Sequence, residues 1–529
     1  MSLSAQRKDK VGRTSLGPGS SFLRDKIISW AILLTALPFF FFSLSLKPPH
    51  ADEGVNGFFV NQIWQSGFFT YDPANYHGPL LFYLFQLSEK VFGFGVYSFR
   101  IVTVSFSLLT IWLILKSRDT FGRYSSAFIA LALAVSPGMI FFGRSAIHEP
   151  VFVFFQVLWM VGFLKLRERN DRQGILWFFL GVLGCTLLKE TFVISGLAFV
   201  LSWGWMEISP NILALINTKL ERPRRLSSDL DEKFLLGAYF IAVIVWFSLF
   251  TGFFHHLKGI RDFFVALVPW LKTGAAGAGH EKPIYYWLEL MRRYEWIGLS
   301  GVALALPGLI SKSWKIRFFS ALALINGFIY SVIPYKTPWC IISIIWPFFV
   351  VAGLYAGIVL DKVRPKRALA FSLFAGAVAV LVGHSVSAAY KLNFVNYADP
   401  SEPYVYVQTK DDLKSVEDIM ARKIRTSPEY HNMVVQVSLR ECWPLPWLLS
   451  RLSNAVFGGE RGAFDPKADI IFAEVDRSGL ELADLYLQRK IELRDARKPV
   501  YVYLRKSSFE GMDLPGFGPV GSLAGVSGS

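Results

Sequence analysis

The chain has 529 residues, of which 53% are hydrophobic, 16% aromatic and only 18% charged. Soluble domains usually carry about 25% charged residues, so the composition argues against a soluble protein and indicates a polytopic membrane protein. The net charge of +15 could suggest a nucleic-acid partner, but the placement of the basic residues argues against that class. The three cysteines (Cys185, Cys340 and Cys442) form no CxxC pair and predict no disulfide framework.

Apolar runs of membrane-spanning length recur along the chain, and we predict about eleven transmembrane helices. The first run lacks a small-residue cleavage site, so we interpret it as a retained span and not as a signal peptide. The predicted fold is an all-α polytopic membrane bundle with a small C-terminal α/β domain. The runs cover residues 27–46, 95–115, 124–142, 150–164, 173–188, 191–206, 234–254, 296–310, 318–334, 339–360 and 368–390.

Alternate connections between these runs are rich in Lys and Arg, which the positive-inside rule assigns to the cytoplasm. The rule predicts a cytoplasmic segment 1–26, a transmembrane domain 27–390, and long external loops at 47–94 and 255–295. An odd number of spans then places the C-terminus outside a plasma (inner) membrane. The excess charge is therefore explained by topology and by contact with anionic lipids, without a nucleic-acid partner.

Residues 391–510 alternate strand-like runs with helical ones, which predicts an extracytoplasmic α/β domain. The Gly- and Ser-rich residues 511–529 are typical of a flexible tail. The predicted strands are 404–407, 433–437, 470–475 and 500–504, and the predicted helices are 411–424 and 480–493.

Unusual polar residues cluster on the external side, where ionisable groups near the membrane tend to mark a site. Asp52 and Glu53 follow the first span directly. Either carboxylate could deprotonate an acceptor hydroxyl or hold a divalent cation. Alternatively, both could simply stabilise the start of a helix, because acids are favoured at helix N-termini.

Two histidines, His77 and His280, lie in different external loops, each beside Gly and Pro. Two imidazoles could share a divalent metal ion, although a single loop histidine usually has no such role.

Basic residues on the same side could bind a phosphate. Arg144 and His148 would share a helical face, with Glu149 adjacent, and Lys189 and Lys336 lie in short loops. The alternative for the first group is an Arg–Glu pair at a helix end, and for each lysine an anchor at the membrane interface.

The order of these motifs resembles the GT-C superfamily of membrane glycosyltransferases. Within it, the sequence is similar to protein O-mannosyltransferases and lipid A aminoarabinose transferases, and most of all to a prokaryotic subgroup described as flippase-activity-associated or mannosyltransferase-like. The motifs are HADEG at 50–54, YDP at 71–73, YHGPL at 76–80, RSAIHE at 144–149, LKE at 188–190, GHE at 279–281, YKTPW at 335–339 and WPLPW at 443–447.

The resemblance implies an inverting transfer of a sugar from a polyprenyl-phosphate donor to a glycan, lipid or protein acceptor on the non-cytoplasmic face. It implies that Asp52 is the general base or orients the acceptor, with Glu53 following it, and that residues 144–149 lie near the donor phosphate. It also implies a metal site at His77 and His280. His77 departs from the family pattern, because the family has an acid at this position. The resemblance therefore does not specify which metal ion would bind.

Two alternatives remain, a lipid-linked sugar flippase or transporter and a non-catalytic partner in envelope-glycan assembly. A transporter usually places its polar residues at the midplane in broken helices, whereas here they concentrate in loops on one face. No Walker loop, HExxH motif or Rossmann-type glycine fingerprint is present.

Overall fold

The structure is a computed structural model, and the residues that it describes are 18–169, 171–215, 220–224, 231–277, 279–362, 368–426, 432–458, 465–476, 484–494 and 498–521. Among these described residues, seventeen α-helices precede residue 391. They are α1 (Pro18–Phe41), α2 (Ala51–Ser66), α3 (Leu80–Phe92), α4 (Val96–Lys116), α5 (Arg118–Phe121), α6 (Arg123–Val135), α7 (Pro137–Gly143), α8 (His148–Glu168), α9 (Arg172–Thr186), α10 (Phe192–Ile212), α11 (Glu232–Phe250), α12 (Gly259–Ala276), α13 (Tyr286–Tyr294), α14 (Trp296–Gly308), α15 (Trp314–Val332), α16 (Ile341–Lys362) and α17 (Ala368–Tyr390).

Each of the eleven apolar runs coincides with a helix or a pair of helices, so the predicted all-α polytopic bundle is confirmed. Among the described residues, seven helices are long and apolar enough to cross a membrane, or eight when the bent pair α6–α7 counts as one span. The helix α9 has 15 residues and α14 has 13, which is short for a span of about 20. The number of crossings therefore stays a prediction.

The third apolar run does not form one straight helix. The helices α6 and α7 meet at an angle of 58°, because Ser136 is extended and Pro137 begins a new helix. The Ser136 hydroxyl accepts a hydrogen bond from the Met139 amide at 3.2 Å and donates to the buried Glu295 carboxylate at 2.8 Å. The bend lies directly before residues 144–149, which contact α2 through the Ala146 amide, a donor to Glu53 at 2.7 Å.

The described residues after 390, which are called the tail from here on, form a six-stranded mixed sheet with two α-helices, α18 (Asp411–Thr426) and α19 (Leu445–Leu448). The strand order is β2-β1-β3-β5-β4-β6, with β1 parallel to β2 and β3 and the other pairs antiparallel. The predicted α/β character is confirmed. The strands are β1 (Val434–Ser438), β2 (Asn454–Phe457), β3 (Ile470–Ala473), β4 (Tyr486–Ile491), β5 (Val500–Arg505) and β6 (Gly518–Pro519).

The C-terminal domain differs from the prediction in several places. Residues 404–407, predicted as a strand, form a turn and irregular backbone, because they contact the residues before α2 instead of a neighbouring strand of the sheet. The strand β2 was not predicted. The segment predicted as a helix at 480–493 contains β4, because Tyr486–Ile491 pairs with β5 along its whole length. The short strand β6 lies inside the segment 511–529 that was predicted as flexible, and residues 522–529 lie outside the described residues.

The C-terminal domain packs against α2. Trp447 of α19 is almost fully buried and stacks on Phe99 of α4, with 5.0 Å between ring centroids. A side chain at Gly57 of α2 would collide with the Trp447 indole, and one at Gly54 would collide with Pro444. The two glycines therefore allow α19 to pack directly on α2, which fixes the first turn of α2 against the tail.

Candidate active site

A cavity of about 540 Å³ lies where the connections that were predicted to be external converge. It is lined by the first turn of α2, the loop before α3, the start of α8, the α9–α10 connection, the end of α12 and residues 330–340. Of the nine residues predicted for the site, five line this cavity, namely Asp52, His77, His148, Glu149 and Lys189. The structure thus brings together side chains that are far apart in sequence.

Asp52 occupies the first turn of α2, which a reciprocal cap holds in place. His50 precedes the helix and accepts a hydrogen bond from the Asp52 amide through Nδ1 at 3.0 Å, while the Glu53 carboxylate accepts from the His50 amide at 2.8 Å. The Asp52 side chain is half-buried and lines the cavity. Among the described residues, no group donates a hydrogen bond to its carboxylate, which is therefore available to a ligand.

Glu53 has a different environment, although it is the next residue. Its side chain is fully buried and makes a two-point ion pair with Arg100 of α4, at 2.6 and 2.8 Å. It also accepts from the Ala146 amide at 2.7 Å. Burial alone would raise the pKa of Glu53, but the Arg100 guanidinium outweighs it and brings the pKa to about 2. Glu53 does not line the cavity and joins α2, α4 and residues 144–149.

Two acid–base pairs form the polar wall of the cavity. The Lys189 ammonium contacts the Glu149 carboxylate, and the next residue, Glu190, accepts from His77 Nδ1 at 3.0 Å. Burial alone would lower the pKa of Lys189, but Glu149 raises it well above its usual value. Burial would raise the pKa of Glu190, but His77 and Lys189 lower it. Both residues are therefore charged near neutral pH.

The polar wall contains a histidine with an unused nitrogen. The His148 ring lies 4.3 Å from the His77 ring, centroid to centroid, and is 3% exposed. Its Nε2 has no hydrogen-bond partner among the described residues. A buried polar atom without a partner is costly, and this one lines a cavity, so a ligand oxygen there would satisfy it.

The structure places Arg144 and Lys336 outside the cavity lining. The Arg144 guanidinium donates to the carbonyls of Phe39, Phe40, Phe42 and Ser43 at 2.8–3.1 Å and so caps the end of α1. The Lys336 ammonium donates to the carbonyls of Lys282 and Ile333 at 3.1 and 2.5 Å. Both side chains donate their hydrogen bonds to backbone carbonyls. Arg144 therefore stabilises the end of α1, and Lys336 stabilises the contact between residues 282 and 333.

His77 and His280 bind different partners. His280 Nδ1 is 2.5 Å from the Tyr406 hydroxyl, and its ring packs on Tyr335, whereas His77 is paired with Glu190. Within the described ranges, no three His, Cys, Asp or Glu side chains are grouped so that they could hold a metal ion. The contacts of His77 and His280 thus give the predicted metal site no support, the site stays a prediction, and we derive no step through a metal.

Sequence reasoning missed two residues of this region, Arg100 and Tyr406. Arg100 could have been found, because it is the one charged residue inside the apolar run 95–115. Tyr406 lies in the tail, and its carbonyl accepts from His50 Nε2 at 2.7 Å while its hydroxyl contacts His280. No local pattern marks it, because its role depends on contacts across more than 100 residues.

The opposite wall of the cavity is largely apolar. It includes Trp270 and Leu271 of α12, Ile194 of α10 and Trp287 of α13. Exposed apolar side chains on α12 continue this surface outwards, including Phe264, Val268 and Leu271. A ligand with a polar head and an apolar chain matches a cavity with one charged and one apolar wall.

Comparison with known proteins relates the fold to membrane glycosyltransferases. The sequence model described as dolichyl-phosphate-mannose-protein mannosyltransferase matches residues 76–220. No curated protein sequence matches the chain.

Solved structures are similar over nearly the whole chain. ArnT from Cupriavidus metallidurans bound to undecaprenyl phosphate is 14% identical with a TM-score of 0.58, covering 92% of this chain and 98% of that one. The oligosaccharyltransferase of Archaeoglobus fulgidus, tethered to an acceptor peptide, is 11% identical with a TM-score of 0.55, covering 91% and 74%. The same oligosaccharyltransferase in complex with zinc and sulfate is 10% identical with a TM-score of 0.51, covering 90% and 73%. The resemblance found in the motifs is thus confirmed, and this chain has the fold of the GT-C membrane glycosyltransferases.

Proposed function

We propose that this protein is an inverting glycosyltransferase that takes a sugar from a polyprenyl-phosphate donor on the non-cytoplasmic face of the membrane. The observation that carries the proposal is the cavity itself. It combines a carboxylate without a hydrogen-bond partner (Asp52), a polar wall of two acid–base pairs with the unpartnered His148 Nε2, and an apolar wall. The undecaprenyl phosphate bound to the similar ArnT supports a lipid-phosphate donor.

In the proposed reaction, the donor phosphate lies against the polar wall. Lys189 supplies positive charge, and His148 Nε2 and the exposed edge of His77 face the phosphate oxygens. The polyprenyl chain follows the apolar wall towards α12. A lipid phosphate is already a good leaving group, so the main task of the site is to neutralise the charge that develops on it.

Asp52 acts on the other reactant. Its carboxylate accepts the proton of an acceptor hydroxyl as that oxygen bonds to the anomeric carbon. The bond between the anomeric carbon and the phosphate oxygen breaks, and the lipid phosphate leaves with the electron pair. Because attack and departure occur on opposite faces, the configuration at the anomeric carbon is inverted.

The test is transfer of a radiolabelled sugar by purified protein in lipid, with a panel of polyprenyl-phosphate sugars and a membrane extract as acceptor. We expect Asp52→Asn to lower kcat by at least about a hundredfold, which is the lower range for loss of a general base. Asp72→Asn is the matched control, because Asp72 lies in the same external loop, outside the cavity lining.

Equal activity of Asp52→Asn and wild type would contradict the role of Asp52. Label that crosses the bilayer unchanged, with no transfer from any donor, would replace the proposal with a flippase. A chelator arm addresses the metal, and we expect it to leave transfer unchanged.

A further inference from the structure

A second large cavity, of about 590 Å³, lies in the C-terminal domain. Residues 439–441 line it directly after β1, Glu474 lines it directly after β3, and Val500 at the start of β5 closes it. We refer to this cavity as the crevice. It sits at the carboxyl ends of two parallel strands.

The topology makes this edge of the sheet a favourable binding position. The chain leaves β1 towards β2 on one side, and it leaves β3 towards β4 and β5 on the other. The two connections diverge, so a gap opens between the carboxyl ends of β1 and β3. Ligands of open α/β sheets bind in the gap at such a switch point.

The lining carries more positive than negative side chains. Its cations are Lys410, Arg440, Arg494 and Lys498, and its acids are Glu441 and Glu474. Arg494 pairs with Glu441 at 2.9 Å, and Arg440 lies 3.9 Å from Glu474. The two lysines therefore account for the excess positive charge, which favours an anionic ligand.

A buried amide in the lining lacks a partner. Gln408 is 5% exposed and donates through Nε2 to the Pro48 carbonyl at 2.8 Å. Its Oε1 has no hydrogen-bond partner among the described residues. An amide oxygen of this kind needs a donor, and the two carboxylates nearby also accept hydrogen bonds. The crevice therefore fits a ligand that bears hydroxyl groups as well as negative charge.

The crevice is joined to the active-site cavity by one short segment, residues 404–409. Val405, Val407 and Gln408 line the crevice, whereas Tyr406 contacts His280 and His50 beside Asp52. The segment thus contacts the crevice through three of its residues and the connection before α2 through Tyr406 and Gln408. A ligand in the crevice would lie next to the first turn of α2.

We propose that the crevice binds a saccharide that carries phosphate or carboxylate groups. Resting on the function proposed above, this ligand is part of the acceptor, and the acceptor is an anionic glycan. A peptide fits less well, because peptides commonly add to an open strand edge, and the crevice lies at strand ends instead.

The experiment is calorimetric titration of the full-length protein in nanodiscs of neutral lipid. The probes are trigalacturonic acid for carboxylates and glucose 6-phosphate for phosphate, with neutral maltotriose and hexaglutamate as comparators. We expect saturable binding of at least one anionic saccharide, binding about tenfold or more weaker for maltotriose, and weakening by added salt.

The double variant Lys410→Gln/Lys498→Gln should weaken binding of the anionic saccharide by about tenfold or more. Lys467→Gln is the matched control, because Lys467 is an exposed lysine at the amino end of β3, outside the crevice. Absence of binding, equal binding of maltotriose, equal binding of hexaglutamate, or an unchanged affinity in the double variant would each overturn the proposal.

The same titration on Asp52→Asn separates the two proposals, because binding needs no turnover. Asp52→Asn should therefore bind the saccharide but not transfer sugar. Saccharide binding by a wild-type protein that transfers sugar from no donor would contradict the proposed reaction and leave the crevice proposal standing. Sugar transfer by wild-type protein that binds none of the saccharides would contradict the crevice proposal and leave the proposed reaction standing.

Discussion

Asp52 and Glu53 show how neighbouring carboxylates acquire different tasks. Successive residues of a helix point about 100° apart, so one carboxylate faces the cavity and the other faces Arg100. From the sequence alone, either carboxylate could be the catalytic one. Their separation depends on α4, which contributes Arg100 from 47 residues further along the chain.

Replacing Glu53 should test its structural role. Glu53→Gln leaves the buried Arg100 charge without its partner, which typically costs about 3–5 kcal/mol. We expect a lower thermal unfolding midpoint in lipid. Glu289→Gln, which changes an exposed glutamate, should leave the midpoint within a degree or two of wild type.

The contribution of Glu53 to folding stability depends on pH, and it decreases as the pH falls. The pKa of Glu53 is lowered to about 2 in the folded protein, below the usual value near 4.5. Its contribution to stability is therefore complete above about pH 4.5 and is lost as the pH falls towards 2. A midpoint equal to that of wild type for Glu53→Gln at pH 7 would contradict a stabilising ion pair.

At the scale of elements, residues 404–409 are the part of the tail that reaches the active site. Gln408 and Thr409 bind the carbonyls of Pro48 and Pro49, at 2.8 and 2.6 Å, immediately before α2. Tyr406 binds both His50 and His280. The segment therefore joins the start of α2 to the connection 277–285 that contains His280.

Tyr406→Phe should reveal this positioning role. The change removes only the hydroxyl that contacts His280, so we expect a stability loss of about 1 kcal/mol or less and a several-fold fall in kcat, with KM for the donor unchanged. The control is Tyr397→Phe, which removes an exposed hydroxyl bonded to Asp411 at 3.0 Å.

Measurement of kcat and KM for both variants checks the prediction. Burial, with Lys282 nearby, lowers the pKa of His280, so its imidazole is neutral near pH 7. A fall in kcat that is equal for Tyr397→Phe and Tyr406→Phe would contradict the positioning role of Tyr406.

The elements themselves were largely predictable. Long apolar runs have few alternatives to a helix, and all eleven runs are helical. The bend between α6 and α7 escaped prediction, because residues 124–142 are apolar throughout and the buried Glu295 that binds Ser136 lies 159 residues away. The strand β4 was mistaken for a helix, since its pairing with β5 outweighs the local pattern.

The site was predictable in part for a different reason. Polar residues that flank apolar runs on one face must converge when the helices pack, so Asp52, His77, His148, Glu149 and Lys189 could be grouped. The sequence does not show which basic side chains donate to backbone carbonyls, because this depends on three-dimensional contacts. Arg144 and Lys336 were predicted to bind a phosphate, and in the structure their donors are used by backbone carbonyls outside the cavity lining.

At the scale of the whole molecule, a buried carboxyl group connects the tail with the helix bundle. Glu295, next to α14, accepts from the Gly138 amide of α7 at 2.6 Å and from the Tyr404 hydroxyl of the tail at 3.3 Å. Burial raises its pKa to about 7, against the opposing effect of these hydrogen bonds. Its protonation state thus changes near physiological pH.

Glu295→Gln should change the pH dependence of stability. A folded-state pKa raised to about 7 means that the contribution is complete below about pH 4.5 and is lost as the pH rises through 7. The shift corresponds to about 3 kcal/mol. We expect the unfolding midpoint of wild type to fall between pH 5 and pH 8.

In Glu295→Gln that fall should be smaller, because the amide does not titrate. Thermal unfolding at both pH values, with Glu289→Gln as a control, checks this. A fall of the same size in both variants would assign the pH dependence to other groups.

The packing of Trp447 on Gly57 also has a consequence for biosynthesis. The helix α2 is translated early, but the aromatic ring that holds it belongs to residue 447 and is translated nearly 400 residues later. Until that ring leaves the ribosome, α2 lacks the contact of α19 with Gly54 and Gly57. A nascent chain that has inserted every hydrophobic segment therefore still lacks part of the packing that holds α2, and under the proposed function we expect sugar transfer only after synthesis has passed the WPLPW motif.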